Sequence, residues 1–315
     1  MLGQSNMLGM GTVGSAAADS PNSLFHAVTA EGKYPYLWDK AAKNWSISNT
    51  VRNVFVMGSG GVNTSSDRTN AWMSGSNRGS IGPELGIGGM LEAAQPTVPY
   101  MMLKSCIGDR SLGWDLLPPS VTKRKNYTDS TGTEWTYAAY HDSPLKWLAN
   151  ETKPAGGGWW AGLQYDGDIW RADKVLANLT GYFPSTPPMP CYEVAGFFWW
   201  QGDKDSRDMG LSTQYEENLV AFIKQLRVQY SAPNAKFVTA SLGQTSKGAT
   251  SGDGLILDAM LNVANATKFP EFAGNVAAVY THPLEHTPSS SGGDPTALHL
   301  PALLSSHLTF STSVR

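Results

Sequence analysis

The chain has 315 residues, 41% of them hydrophobic, which is enough for one large α/β domain or two smaller ones. A formal net charge of −3 with only 16% charged residues leaves no basic stripe to follow a phosphate backbone and no polyanionic tail, which argues against a nucleic-acid partner. No apolar run approaches the ~20 residues of a membrane-spanning helix, so no membrane partner is expected either.

The block Gly3-Gln4-Ser5-Asn6-Met7 comes first, followed by Gly9-Met10-Gly11. A serine hydroxyl is a weak nucleophile unless the backbone holds it at a sharp, exposed turn beside a base and an oxyanion site. The same residues also suit an ordinary polar turn. A nucleophile turn needs a strand leading into it, and Met1-Leu2 is too short to make one. The first strand is therefore expected to be truncated, the sequence being a fragment or starting at a misplaced residue, with any secretion signal lost.

Two short extended stretches follow, around Tyr36-Leu37-Trp38 and over Arg52–Val56. A Gly-, Ser- and Asn-rich segment from Gly58 to Ser80 reads as a long functional loop. Helical spacing over Glu84–Ala94 puts Leu85, Met90 and Leu91 on one face, with Pro83 in the first turn and Pro96 beyond the end. The apolar run Val98–Leu103 reads as a strand, and it runs into Ser105-Cys106-Ile107-Gly108-Asp109-Arg110-Ser111. Donor-rich backbone at such a strand end is where α/β proteins keep their sites, and Gly108 is a candidate oxyanion donor.

Residues 118–160 are irregular and aromatic, and read as an insertion within the domain. Their aromatics either stack on sugar faces or pack the insertion onto the body. Helical periodicity resumes over Tyr165–Leu179. Strand Val194–Trp199 ends in Trp200-Gln201-Gly202-Asp203-Lys204-Asp205, where Gln201 offers an amide donor. A helix over Thr213–Tyr230, a strand over Lys236–Leu242, a helix over Leu255–Ala266 and a strand over Asn275–Tyr280 complete the alternation. Alternating strands and helices predict a parallel sheet covered on both faces, a flavodoxin-like three-layer α/β/α arrangement.

The Gly-Gln-Ser-Asn-Met block, the Gly108 segment and the Trp-Trp-Gln-Gly-Asp block together resemble the SGNH (GDSL-like) hydrolases, in the sialate O-acetylesterase and acetylxylan esterase branch. Gly82-Pro83-Glu84-Leu85 resembles that branch's helix start. The resemblance runs from Gly3 to Thr281 and implies a carbohydrate O-acetylesterase. Ser5 would be the nucleophile, the oxyanion would be held by the Ser5 and Gly108 N–H groups and the Gln201 amide, and no cofactor would be needed. The partner implied is an acetylated carbohydrate. A glycan-binding or inactive relative that has lost its base is the alternative.

Serine catalysis also needs a histidine, commonly oriented by a carboxylate. In the family both come from a late Asp-x-x-His or Asp-x-His block, and this sequence departs from that pattern. His299 with Asp294 is the candidate pair by position, with His286 and His282 as alternatives, His307 less favoured, and loss of the base a further option. The expected organisation is one hydrolase domain over 1–293 with the insertion at 118–160. The divergent tail 294–315 looks as though the reading frame changed near Gly293.

Cys106 and Cys191 fall at opposite ends of predicted parallel strands and are expected to be free thiols. No Cys-x-x-Cys or His-x-x-x-His spacing suggests a metal. Asn-x-Ser/Thr sequons at Asn44, Asn63, Asn126, Asn150, Asn178 and Asn265 lean towards a secreted glycoprotein, although a Ser/Thr/Asn-rich surface also makes sequons by chance.

Overall fold

The computed structural model describes residues 1–185, 187–189 and 191–284. The chain opens with a two-residue strand, β1 (Leu2–Gly3), and one helical turn, α1 (Ser5–Leu8). Then come β2 (Gly11–Thr12), α2 (Leu24–Thr29), β3 (Trp38–Asp39), β4 (Asn44–Trp45) and the long β5 (Ile47–Met57). After β6 (Ser66–Ser74), β7 (Ser80–Ile81), α3 (Glu84–Ala94) and β8 (Tyr100–Ser105), the expected insertion carries β9 (Lys125–Thr128), β10 (Glu134–Tyr137) and β11 (Lys146–Leu148). The remainder alternates helix and strand. It runs α4 (Leu163–Leu176), α5 (Leu179–Tyr182), β12 (Gly196–Trp200), α6 (Asp203–Ser206), α7 (Met209–Gln229), β13 (Lys236–Ala240), α8 (Gly252–Val263) and β14 (Val276–Val279).

These elements form two compact units. The first contains Met1–Met7, Val56–Ser66 and Lys104–Pro283, and the second Leu8–Phe55 and Asp67–Leu103. In the first, β1, β12, β13 and β14 make a parallel sheet in that order. Leu2 pairs with Trp199 and Gly3 with Trp200, so the strand for which Met1-Leu2 looked too short is present as a two-residue pairing. Met1 O accepts a further bond from Ser105 N at 3.1 Å.

Helix α7 shows why this unit holds together. Asp208 caps it, accepting from Gly210 N and Leu211 N, which satisfies two of the donors a helix start leaves open. Leu211, Tyr215, Leu219, Phe222, Ile223 and Leu226 recur at helical spacing and are all buried. All of them but Leu211 join Trp199, Phe237 and Met260 in one core. Each such side chain contributes about 1.5–3 kcal/mol of burial, and Leu219→Ala would cost about 2–5 kcal/mol by leaving a cavity.

The insertion is more regular than its sequence suggested. β9, β10 and β11 pair antiparallel, and the Asp129 carboxylate holds the β9–β10 turn by accepting from Thr131 N, Thr133 N and Trp135 Nε1. Tyr137 and Trp147 are buried, so these two aromatics pack the insertion. In the second unit β5 lies between β6 and β8. β6 replaces much of the expected loop: its polar Asp67-Arg68-Thr69-Asn70 run hides a strand whose Asn70 accepts from Arg52 Nη2 on β5.

Cys106 is buried and Cys191 exposed, and neither forms a disulfide among the described residues. Among the described residues no helix is long and apolar enough to cross a membrane.

Candidate active site

The turn that carries Ser5 is set by Gly3, whose φ of 149° lies in the region that favours glycine. A Cβ there would stand 2.2 Å from Trp200 O and 2.9 Å from Met7 Cβ, so only glycine lets β1 approach β12 this closely. Gln4 N then donates to Trp200 O at 3.0 Å, and the chain turns at once into α1, with Ser5 as its first residue. Ser5 is half-buried, while Gln4 is buried.

Gln201 is fully buried at the carboxyl end of the neighbouring strand. Its Nε2 lies 3.1 Å from Gln4 Oε1, 2.9 Å from Arg110 O and 2.6 Å from Asp205 Oδ2. Its Oε1 accepts from Tyr215 Oη at 2.9 Å, and Tyr215 Oη in turn accepts from Trp199 Nε1 at 3.1 Å. Gln4 Oε1 also takes Gly202 N at 3.4 Å and Lys204 N at 3.3 Å. All three blocks singled out in the sequence thus meet at one amide nitrogen. That nitrogen has two hydrogens for three acceptors, so it reaches an oxyanion only by releasing one of them.

The Gly108 segment is held from below by buried carboxylates. Asp205 accepts from Leu112 N and Gly113 N, both at 2.8 Å, in addition to Gln201 Nε2. Burial pushes its carboxyl up to about 6, against the pull of those N–H donors. Asp115 accepts from Ser111 N at 2.8 Å and Ser111 Oγ at 2.9 Å, and burial raises it as well. Above this clamp Gly108 is half-buried, and a Cβ built on it meets nothing within 4 Å. Asp109 turns outward in the left-handed region, φ 55°, and pairs with Lys204 at 3.0 Å and Arg207 at 3.4 Å. The Lys204 bond, reinforced by the nearby cations, holds its carboxyl below the usual range.

Among the described residues, Ser5 N–H, Ser5 Oγ and Gly108 N–H have no hydrogen-bond partner. Two backbone donors beside a serine, with open space at the glycine, can receive a developing oxyanion. Asp294, His286 and His299 lie outside the described residues. His282 follows β14, and its Nδ1 lies 2.7 Å from Gly243 O, so in neutral imidazole the proton sits on Nδ1 and the lone pair on Nε2. It shares the carboxyl edge with Ser5, but β1 and β14 are three strand spacings apart, about 14 Å. Neither His282 nor His141 hydrogen-bonds Ser5 Oγ.

The sequence singled out Ser5, Gly108 and Gln201 but gave no role to Gln4, Asp205 or Tyr215. Gln4 and Asp205 stand inside the quoted motifs, where an amide and a carboxylate at strand ends could have been read as structural partners. Tyr215 carries no local signal, being one more apolar-face position of α7.

Residues 160–297 match the family model for carbohydrate esterase, sialic acid-specific acetylesterase. A novel carbohydrate acetylesterase from Xanthomonas citri, XAC1771, is similar in fold at a TM-score of 0.52 and 15% identity, covering 96% of this chain and 52% of that one. The chain thus spans about half the length of the Xanthomonas protein. An Arabidopsis thaliana protein of 12% identity has a TM-score of 0.49, covering 98% of this chain and 97% of its own, and NanS, at 10% identity, has a TM-score of 0.39, covering 91% and 77%. No curated protein matches by sequence. Residues 160–297 thus resemble the sialic acid-specific acetylesterase family of carbohydrate esterases, and over most of its length the chain shares the fold of the Xanthomonas carbohydrate acetylesterase.

Proposed function

We propose that this chain is a carbohydrate O-acetylesterase that uses Ser5 as its nucleophile. The observation that carries this reading is the meeting of Gln4, Arg110 and Gln201 at one buried amide nitrogen, which sets the Ser5 turn beside the Gly108 loop. Ser5 Oγ attacks the acetyl carbonyl carbon while a histidine takes its proton, and the carbonyl oxygen becomes an oxyanion facing the Ser5 and Gly108 N–H groups. The sugar hydroxyl leaves with that proton. Water, deprotonated by the same base, then attacks the acetyl-serine, releasing acetate and restoring Ser5.

His299 with Asp294 is the proposed base pair, with His286 and His282 as the other candidates. Gln201 belongs to the proposal as the residue that joins the three loops, and as third oxyanion donor if it gives up one protein acceptor. The parallel sheet and its helices support the three-layer SGNH arrangement as the finer description of the fold. The sequon asparagines Asn44, Asn63, Asn126, Asn150, Asn178 and Asn265 are all exposed, which supports a secreted glycoprotein.

The test is release of acetate from O-acetylated sugars and of p-nitrophenol from its acetate. Turnover that disappears in Ser5→Ala supports the reading. The sequence's departure from the family's late Asp-x-x-His block keeps the inactive, glycan-binding relative as second reading. Sugar binding without turnover in the native chain would establish it.

A further inference from the structure

His141 lies midway along the connection between β10 and β11 and holds a left-handed backbone, φ 68°. A β-substituted residue there is costly and persists only where its surroundings impose it. His141 N donates to Ala161 O, and Ala161 N to Asp142 O, both at 2.9 Å. The side chain so presented is 61% exposed, so this geometry is not serving a core.

What surrounds the ring is an aromatic corner with a polar edge. Tyr140 stacks on His141 at a centroid distance of 4.0 Å, and Trp160 meets it edge-on at 6.2 Å and 85°. The Tyr140 ring can lie where it does because Gly162, φ 91°, has no Cβ: one would stand 2.4 Å from that ring. Asp166 in the first turn of α4 accepts from Tyr140 Oη at 2.6 Å and faces His141 Nε2 at 3.5 Å.

The corner is tied to the proposed chemistry through the same helical turn. Gln164, two residues before Asp166, accepts from Arg110 Nε at 3.3 Å and from Gly60 N at 2.8 Å. Arg110 lies over the Trp159 ring at 5.0 Å and donates to Asp109 O at 3.0 Å, placing it beside Gly108. One turn of α4, about 5.4 Å of pitch, therefore holds both the outer side of the Gly108 loop and the carboxylate of the corner.

We propose that Tyr140, His141, Trp160 and Asp166 form a sugar-binding subsite for a further ring of the glycan, so that the substrate is a sugar chain rather than a single sugar. Aromatic faces are electron-rich and take the C–H face of a pyranose, while a carboxylate at their edge accepts from its hydroxyls. The proposal rests on the O-acetylesterase reading for the acetyl group alone. The sugar contact stands on the corner itself.

The test uses the full chain with O-acetylated xylo- and manno-oligosaccharides and oligosialic acid, each from one to five units. The expected result is a kcat/KM that rises about three- to tenfold beyond the first unit in at least one series. Trp160→Ala and His141→Ala flatten that rise, and Trp160→Phe keeps most of it. Flat dependence in every series, or variants that lower all chain lengths alike, overturns the subsite. If no acetyl ester is turned over, the O-acetylesterase reading fails, and calorimetric titration with the unacetylated tetramers decides the subsite. Binding weakened by His141→Ala supports it, whereas no binding, or binding that variant leaves unchanged, overturns it.

Discussion

The Gln201 junction and the His141 corner belong to the same unit, yet they use polar groups in opposite ways. At the junction every side chain is buried, and the polar atoms named bond one another, so geometry is fixed before any ligand arrives. At the corner the histidine is largely exposed and its carboxylate partner stands at 3.5 Å, so hydrogen-bonding capacity remains for a ligand. Chemistry demands the first arrangement and recognition tolerates the second.

The sharpest way to break this comparison is at the nucleophile. Ser5→Ala should abolish acetyl-ester turnover down to the residual ~10³–10⁴-fold over water that binding and oxyanion donors alone supply. Its melting temperature should stay close to that of the parent, because Ser5 Oγ bonds nothing among the described residues. Turnover near the parent level, measured with p-nitrophenyl acetate, would remove Ser5 from the mechanism.

Gln201→Ala comes next. It takes one partner each from Gln4 Oε1, the Asp205 carboxylate and Tyr215 Oη, which keep their bonds to Gly202 N and Lys204 N, to Leu112 N and Gly113 N, and to Trp199 Nε1, costing about 1–3 kcal/mol of stability, and it loosens the Ser5 and Gly108 donors together. A kcat loss of ~10²–10³ with little change in KM is expected. A change in KM alone would recast Gln201 as a substrate contact.

Asp205→Asn probes the same junction through pH. Because burial raises the folded carboxyl from 3.8 to about 6, the native state holds this proton where the unfolded chain has released it. Its contribution to stability is fully present below about pH 4, falls as pH rises, and is lost by about pH 6, a swing of roughly 3 kcal/mol. Denaturant melts of parent and variant across that window should diverge by this slope. Parallel curves would mean the carboxylate is better solvated than its burial implies.

The smallest effect belongs to the exposed cluster. Asp109 and Arg207 are 59% and 60% exposed, so Asp109→Asn should change stability by less than about 1 kcal/mol, and less still in high salt. A larger, salt-independent loss would mean that this pair supports the Gly108 turn.

Legibility in the sequence followed the same divide. Helix α3 lies where apolar spacing and Pro83 predict, and β12, α7, β13, α8 and β14 fall within a few residues of their expected positions, because buried elements repeat apolar side chains at their own period. β6 was hidden because its outward residues are polar and their partners lie on another strand. In the insertion, Tyr137 and Trp147 took the packing alternative, whereas Tyr140 and Trp160 stay half-buried around His141. Ser5, Gly108 and Gln201 were readable as motif positions. The convergence of Gln201 on Gln4, Arg110, Asp205 and Tyr215 was not, since no local pattern records which distant oxygen an amide meets.

That convergence bears on how the chain would acquire the proposed activity. Gln201 Nε2 meets Gln4 across 197 positions of chain and Arg110 across 91, the first among the longest loop closures of the described residues. Contacts of such separation form slowly because chain entropy must be lost before they return anything. On the proposed esterase reading, hydrolysis regained during refolding times the last closures of the chain, and lags the helical signal from local elements such as α7.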